Sequence, residues 1–302
     1  MVSLEERICS LCAAPGPFYP FYPGASLREC RCPDCGSSRR TRDLARALIQ
    51  ELISDGNSVS PEKNLALKEE GLSKEGTADR ENGASRQEQY LSAVLPLLEP
   101  LSIYELQAQG ALHAILHRLP GYVCSEFLEA VEPGKRNSLG VLCQDASRLT
   151  FADGLFDAVI SQDVLAHMDD PWRGFEEIQS VLKPGGVHIF TVPLHEGRKT
   201  RRRAARDTAG SLMHLLPPVF HKDPLNPQGA LVFWDYGEDL PDLLRAKGIS
   251  AHLAVHARFY EEHEICDVSD ESTYERCRKV CAEGKHASFF LYNAAVYVAG
   301  KA

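Results

Sequence analysis

The sequence predicts an α/β fold preceded by a small cysteine-rich module. Three observations carry that expectation. From about Gln89 onward, apolar runs rich in strand formers alternate with helix-like segments. Two Cys-x-x-Cys pairs stand near the start of the chain. Between these regions, Gly56 to Gln89 contains no aromatic residue and is dominated by Gly, Ser, Asn, Glu and Lys.

Composition narrows the classes. The chain has 302 residues, enough for one large domain or two modest ones. Hydrophobic residues make up 44% and charged residues 25%, which excludes a wholly disordered chain. The net charge of −9 argues against a surface that binds nucleic acid all over, though a local basic patch is compatible with it. No apolar run has the length of a membrane helix, and Met1–Glu6 carries no basic and apolar leader, so neither membrane insertion nor secretion is expected. Ten cysteines without a leader point to the cytoplasm, and to metal or free thiols before disulfides. The oligomeric state is left open.

The module comes first. Cys9 and Cys12 are separated by nineteen residues from Cys32 and Cys35, a spacing that suits a four-cysteine zinc ribbon. Two residues between cysteines let a tight turn aim both sulfurs at one ion, and Gly36 eases the second turn. Phe18, Tyr19, Phe21 and Tyr22 are placed to cap such a site, and Cys30 is a fifth thiol able to compete for it. The plainer reading is four free cysteines. A helix follows over residues 40–53, with Leu44, Leu48 and Leu52 on one face beside Ala45 and Ile49. The domain expectation is therefore a ribbon and helix over 1–54, a disordered linker or insertion over 55–89, and an α/β domain over 90–302.

In the α/β body the expected strands are Leu101–Leu106, Tyr122–Cys124, Leu139–Cys143, Phe156–Ser161 and Val187–Val192. Asp170 is suited to cap the clearest helix and Pro171 to open it, while Trp172, Phe175, Ile178 and Leu182 mark its apolar face. Lys183-Pro184-Gly185-Gly186 should stop it. A second helix is expected after Asp239, with Leu240, Leu243 and Leu244 apolar and Gly248 as terminator. Ile249–Val255 and Ser288–Val298 read as closing strands.

Three ordered blocks are informative together. Asp145-Ala146-Ser147-Arg148-Leu149-Thr150-Phe151-Ala152-Asp153-Gly154-Leu155-Phe156-Asp157-Ala158-Val159 is followed by Asp163-Val164-Leu165-Ala166-His167 and by Val181-Leu182-Lys183-Pro184-Gly185-Gly186. The chain resembles the class I S-adenosylmethionine-dependent methyltransferases with a type 11-like domain, well over Leu101 to Val192 and more loosely beyond. The ribbon followed by Gly36-Ser37-Ser38-Arg39-Arg40 is similar to a module that precedes some bacterial members. The resemblance implies a Rossmann-like sheet of seven strands flanked by helices, its last strand inserted antiparallel. It also implies S-adenosylmethionine as the cofactor. Sites for it are expected at the C-terminal ends of the strands. The implied contacts are Glu105, Gln107 and Gly110 in and after the first strand, Glu126 on the ribose hydroxyls, Asp145 and Ala146 on the adenine, and Gln162 and Asp163 after the fourth strand.

Each assignment has a plainer counterpart. Glu126 fits a solvated strand end, Asp145 fits the cap of a turn, and Asp157 reads as structural. Two positions depart from the family pattern. Gln107, Ala108 and Gln109 stand where it carries glycines, so either the glutamines bond the amino-acid end of the cofactor or binding is weak or absent. Ala166 replaces a frequent glutamate. Methyl transfer needs alignment above all, and a hydroxyl acceptor gains from a base. His221 is the candidate, with Asp223 and His214 behind it, against the alternative of a polar loop residue. The run from Arg198 through Arg201, Arg202, Arg203 and Arg206 suits phosphate, a nucleotide-linked sugar or RNA, or is a solvated loop. Cys266, Cys277 and Cys281 with His263 or His286 are spaced too irregularly for a metal site and read as free thiols. The expected function is an enzyme methylating a small-molecule or glycan acceptor at a hydroxyl. The alternatives are an RNA methyltransferase using the ribbon and the arginine run, and a scaffold protein that has lost the cofactor.

Overall fold

The computed structural model describes residues 9–14, 19–20, 30–53, 86–194, 199–221, 223, 226–255, 258–261, 264–266, 290–292 and 295–301. The chain divides into two compact units. One comprises Met1–Leu101, Gln109–Tyr122 and His256–Tyr292, the other Ser102–Ala108, Val123–Val255 and Asn293–Ala302.

In the first unit the two cysteine turns are followed by helix α1, Arg39–Ile53. Strands β1 (Tyr19–Pro20) and β2 (Cys30–Arg31) pair antiparallel between the turns. Ser38 Oγ accepts from the Thr41 amide at the start of α1, and the buried pair Arg39–Asp43 locks its first turn at 3.0 Å. Desolvation by burial raises the Asp43 carboxyl above its ordinary range, against the pull of Arg39. Leu44, Leu48 and Ile49 form the buried face, as the periodicity predicts. Helix α2, Arg86–Leu98, turns Leu91, Val94, Leu95 and Leu98 inward, and α3, Gly110–Leu116, adds Leu112 and Leu116 to the same apolar cluster. The expected linker over 55–89 therefore ends early, because residues 86–89 already belong to α2, while its residues 55–85 lie outside the described residues.

The second unit is built on a six-stranded sheet. Its strands are β3 (Ile103–Glu105), β4 (Tyr122–Cys124), β5 (Phe156–Gln162), β6 (Leu182–Thr191), β13 (Ser250–Val255) and β17 (Val296–Gly300), in the order β13-β17-β6-β5-β3-β4. β3, β5 and β6 run parallel. β17 inserts antiparallel between β6 and β13, the arrangement the family resemblance implies. This is a Rossmann-like α/β sheet with a mostly parallel centre. The expected strand Leu139–Cys143 survives as one parallel bridge, Glu126 to Cys143, on the outer side of β4. The reason is local. Asn137 Oδ1 accepts from the amides of Leu139 and Val141, so the chain turns there and leaves Leu139 85% exposed at the tip.

Helix α4, Pro171–Val181, starts as its sequence requires: Asp170 Oδ1 accepts from the amides of Trp172 and Arg173. It presses Phe175, Ile178 and Val181 onto Phe156, Val159 and Phe190 of the sheet. Lys183–Gly186 bulges out between two paired positions, since Phe156 faces Leu182 and Ala158 already faces Val187. Helix α5, Leu240–Ala246, seals the other part of the core with Leu240 and Leu244.

Short strands fill the region between β6 and α5. β7 (Arg201–Arg202) pairs with β12 (Trp234–Asp235), β8 (Ala204–Arg206) with β9 (Leu212–His214), and β10 (Phe220–His221) with β11 (Ala230–Leu231). In the first unit, β14 (Arg258–Glu261) lies between β15 (Glu264–Cys266) and β16 (Phe290–Tyr292). The cysteines read as free thiols, Cys277 and Cys281, with the side chain of Cys266, His263 and His286, lie outside the described residues, as do Phe18, Phe21 and Tyr22. Among the described residues, no helix is long and apolar enough to cross a membrane.

Candidate functional site

The parallel strands deliver their last residues to one edge of the sheet in the second unit. Glu105 closes β3 fully buried, and Gln162, which closes β5, donates from Nε2 to its Oε1 at 3.2 Å. The chain then passes through the half-buried Gln107 and Ala108. Glu126, two residues past β4, accepts the Ala108 amide at 2.8 Å. A carboxylate thus holds the turn where the family pattern has glycines. The Gln144 amide donates to the Glu126 carbonyl at 3.0 Å, which brings Asp145 and Ala146 alongside. Asp145 Oδ1 accepts from the amide and hydroxyl of Ser147, so the residue does cap its own turn. Asp163 adopts φ +57°, accepts the Thr191 hydroxyl at 3.0 Å and donates its amide to the Thr191 carbonyl. Gly110, the remaining predicted contact, opens α3 in the first unit with φ +94°.

The candidate base meets a second histidine. His221, on β10, places Nδ1 3.4 Å from Nε2 of His167, and the two rings meet edge to face with centroids 5.1 Å apart. His167 ends a single 3₁₀ turn, Leu165–His167, four residues beyond Asp163. Sequence reading did not single it out, although it lies within the second family block. His214 is exposed in β9, paired across to Ala204. Ala166, the second departure, is fully buried, and its carbonyl accepts the Phe233 amide.

The arginine run is engaged within the fold. Arg201 Nε donates to Asp235 at 2.8 Å, and Arg203, only 9% exposed, pairs with the same carboxylate and with the Pro217 carbonyl. Arg202 pairs with Asp169 and lies over Trp234 at 5.4 Å. Arg206 donates to Gly210. Arg198 lies outside the described residues. Arg39 and Arg42, in the first turn of α1, are buried. Within the run, Arg203 is buried and Arg201 and Arg202 are ion-paired, while Arg201 and Arg206 stay exposed.

The four paired cysteines form a second candidate site, in the first unit. Cys9 Sγ lies 3.7 Å from Cys35 Sγ, Cys12 Sγ lies 3.6 Å from Cys32 Sγ, and all four sulfurs lie within 4.8 Å of one another. Tetrahedral coordination with bonds of about 2.3 Å requires sulfurs about 3.8 Å apart. Both turns use one geometry: the residue after the second cysteine takes positive φ (Ala13 +57°, Gly36 +69°) and donates its amide to the carbonyl of the first. Contacts with Cys35 and Cys9, and then burial, hold the Cys12 thiol far above its ordinary range. Four sulfurs gathered in this way suit a cation.

Residues 123–190 match the family model for a methyltransferase domain. The chain is 29% identical over 136 residues to a demethylmenaquinone methyltransferase of Corynebacterium urealyticum, an alignment covering 42% of this chain and 56% of that protein. It is 33% identical over 89 residues to an uncharacterized methyltransferase of Mycolicibacterium gilvum, covering 24% of this chain and 35% of that one. The chain thus spans little more than half the length of the first of these relatives. A solved S-adenosylmethionine-dependent methyltransferase from Mesorhizobium loti aligns over 73% of this chain and 99% of its own, with 18% identity and a TM-score of 0.38. The segment 123–190 is therefore a methyltransferase-domain segment, set on a Rossmann-like sheet.

Proposed function

We propose that this protein is an S-adenosylmethionine-dependent methyltransferase acting on a hydroxyl of a small-molecule or glycan acceptor. The observation that carries the reading is the joined edge of β3, β4 and β5, where Glu126 ties the turn after β3 and Asp145 stands beside it. The donor set fits a nucleoside. Carboxylates at Glu126 and Asp145 suit ribose hydroxyls and an adenine amino group, and the Ala146 backbone suits a ring nitrogen. Gln107 would meet the amino-acid end, while Glu105, Gln162 and Asp163 shape the floor. S-adenosylmethionine, when bound, supplies a methyl on a sulfonium, whose S–C electron pair stays on sulfur as the acceptor oxygen takes the methyl. The protein's own work is to orient the acceptor, exclude water and remove the hydroxyl proton, for which His221 is the base. The relative from Corynebacterium urealyticum, named for a small-molecule acceptor, favours that class.

The same reading assigns Zn2+ to Cys9, Cys12, Cys32 and Cys35, in a structural role. It also keeps a cytoplasmic setting. RNA is not the acceptor proposed, because Arg201, Arg202 and Arg203 already meet Asp235 and Asp169.

Calorimetric titration with S-adenosylhomocysteine tests the reading. Saturable binding is expected, weakened in Glu126→Ala by about 1.5–3 kcal/mol per charge-assisted hydrogen bond lost. Absence of binding at millimolar ligand, in folded protein, would leave a scaffold that has kept the sheet and lost the cofactor.

A further inference from the structure

We infer that His167 is a positioning residue that fixes the tautomer of His221, an assignment that rests on the methyltransferase reading only for its catalytic meaning. The chain of bonds runs in one direction. The Leu231 carbonyl lies 2.8 Å from His167 Nδ1, and a carbonyl only accepts, so the His167 proton is on Nδ1. Neutral His167 then offers a lone pair at Nε2, and the group facing it at 3.4 Å is Nδ1 of His221. That nitrogen must donate. The proton of His221 is thereby held on Nδ1, and Nε2 becomes its basic nitrogen.

Backbone geometry supports the arrangement from both sides. His221 and Ala230 pair across the β10–β11 ladder, and Leu231, the next residue, supplies the carbonyl that orients His167. Gly229 has φ +81°, and a Cβ there would overlap the carbonyl oxygen of His221. The 3₁₀ turn is itself fastened by the Phe233 amide on the Ala166 carbonyl and by the Tyr236 hydroxyl on the Leu165 carbonyl. Both histidines are half-buried. The dyad therefore sits on a braced frame, with His167 five residues along the chain from the end of the parallel strand β5.

The proton balance is simple. The O–H bond of the acceptor breaks, its proton forms a bond with Nε2 of His221, and the electron pair remains on oxygen for the new bond to carbon. The imidazolium so formed keeps its Nδ1 proton directed at His167 and afterwards releases the other proton to water. A long contact in the resting site that tightens with substrate is common for such pairs.

Long-range proton–nitrogen NMR of the full chain, labelled with 15N-histidine, reads each tautomer at a pH where both rings are neutral. His221→Phe identifies the His221 signals. His221 and His167 are expected in the Nδ1–H form, and in His167→Phe the His221 ring should revert to the Nε2–H form that a solvated imidazole prefers. Nε2–H at His221 in the unmodified protein overturns the inference. An unchanged His221 tautomer in folded His167→Phe overturns it too. Titration of S-adenosylhomocysteine into the same samples separates the questions: lack of binding removes the methyltransferase reading, whereas the tautomers decide the role of His167.

Discussion

At the scale of single residues, the sheet core holds a polar group that ties stability to acid. His188, on β6, is fully buried, stacks on Phe190 with ring centroids 4.5 Å apart, and bonds to the Ser161 hydroxyl at 2.9 Å. Burial pushes its imidazole down to about 3. The unfolded chain takes up the proton near pH 6.5 and the folded one does not, so this residue's contribution is intact above that value. It is lost as pH falls toward the folded value, at no more than about 1.4 kcal/mol per unit, or about 2 kcal/mol by pH 5. Urea denaturation of wild type and His188→Leu from pH 7 to 5 should show the wild type losing stability more steeply. Parallel curves would contradict this. None of it is visible in the run Gly186-Val187-His188-Ile189-Phe190, where a histidine among strand formers fits a solvated face as readily as a core.

At the scale of elements, the β7–β12 pair depends on one shared carboxylate. Arg203 is nearly buried, so removing its partner leaves a charge without compensation, at a cost of about 3–5 kcal/mol. Asp235→Ala should therefore destabilise strongly. Arg201→Ala, whose side chain is 52% exposed, should cost no more than about 1 kcal/mol. Equal effects on the denaturation midpoint would refute a structural role for this run. Gly229→Ala should cost about 1–2 kcal/mol from its left-handed backbone alone, with further strain where the Cβ meets His221; a melting temperature equal to wild type would contradict that. Elements were legible where local chemistry decides them. Asp170 and Pro171 announce α4, and Tyr122–Cys124 reads as the strand it forms. Helix α2 was hidden because its face of Tyr90, Leu91, Val94, Leu95 and Leu98 abuts a polar stretch and carries Pro96 inside. The partners of Arg201–Arg203 lie more than thirty residues away in sequence, so their charges read as a surface run until the fold supplied Asp169 and Asp235.

At the scale of the whole molecule, spacing conveyed the clustering of the four cysteines fully and the joined strand ends only in part. Four cysteines in two turns need no tertiary inference, whereas the bond from Ala108 to Glu126 and the meeting of His167 with His221 arise only when distant strand ends converge. Metal analysis should give about one zinc per chain, and Cys32→Ser should abolish it, since a three-sulfur remnant lacks a closed structural site. Substoichiometric metal with freely alkylated cysteines would contradict the assignment. The central claim is that the ends of β3, β4 and β5 bind the nucleoside end of S-adenosylmethionine. Hydrogen–deuterium exchange under saturating S-adenosylhomocysteine tests it most directly, because the amides involved are already identified. Exchange should slow in peptides covering residues 105–108, 125–128 and 144–147. Unchanged exchange in all three, with ligand bound and protection appearing elsewhere in the chain, would contradict the account.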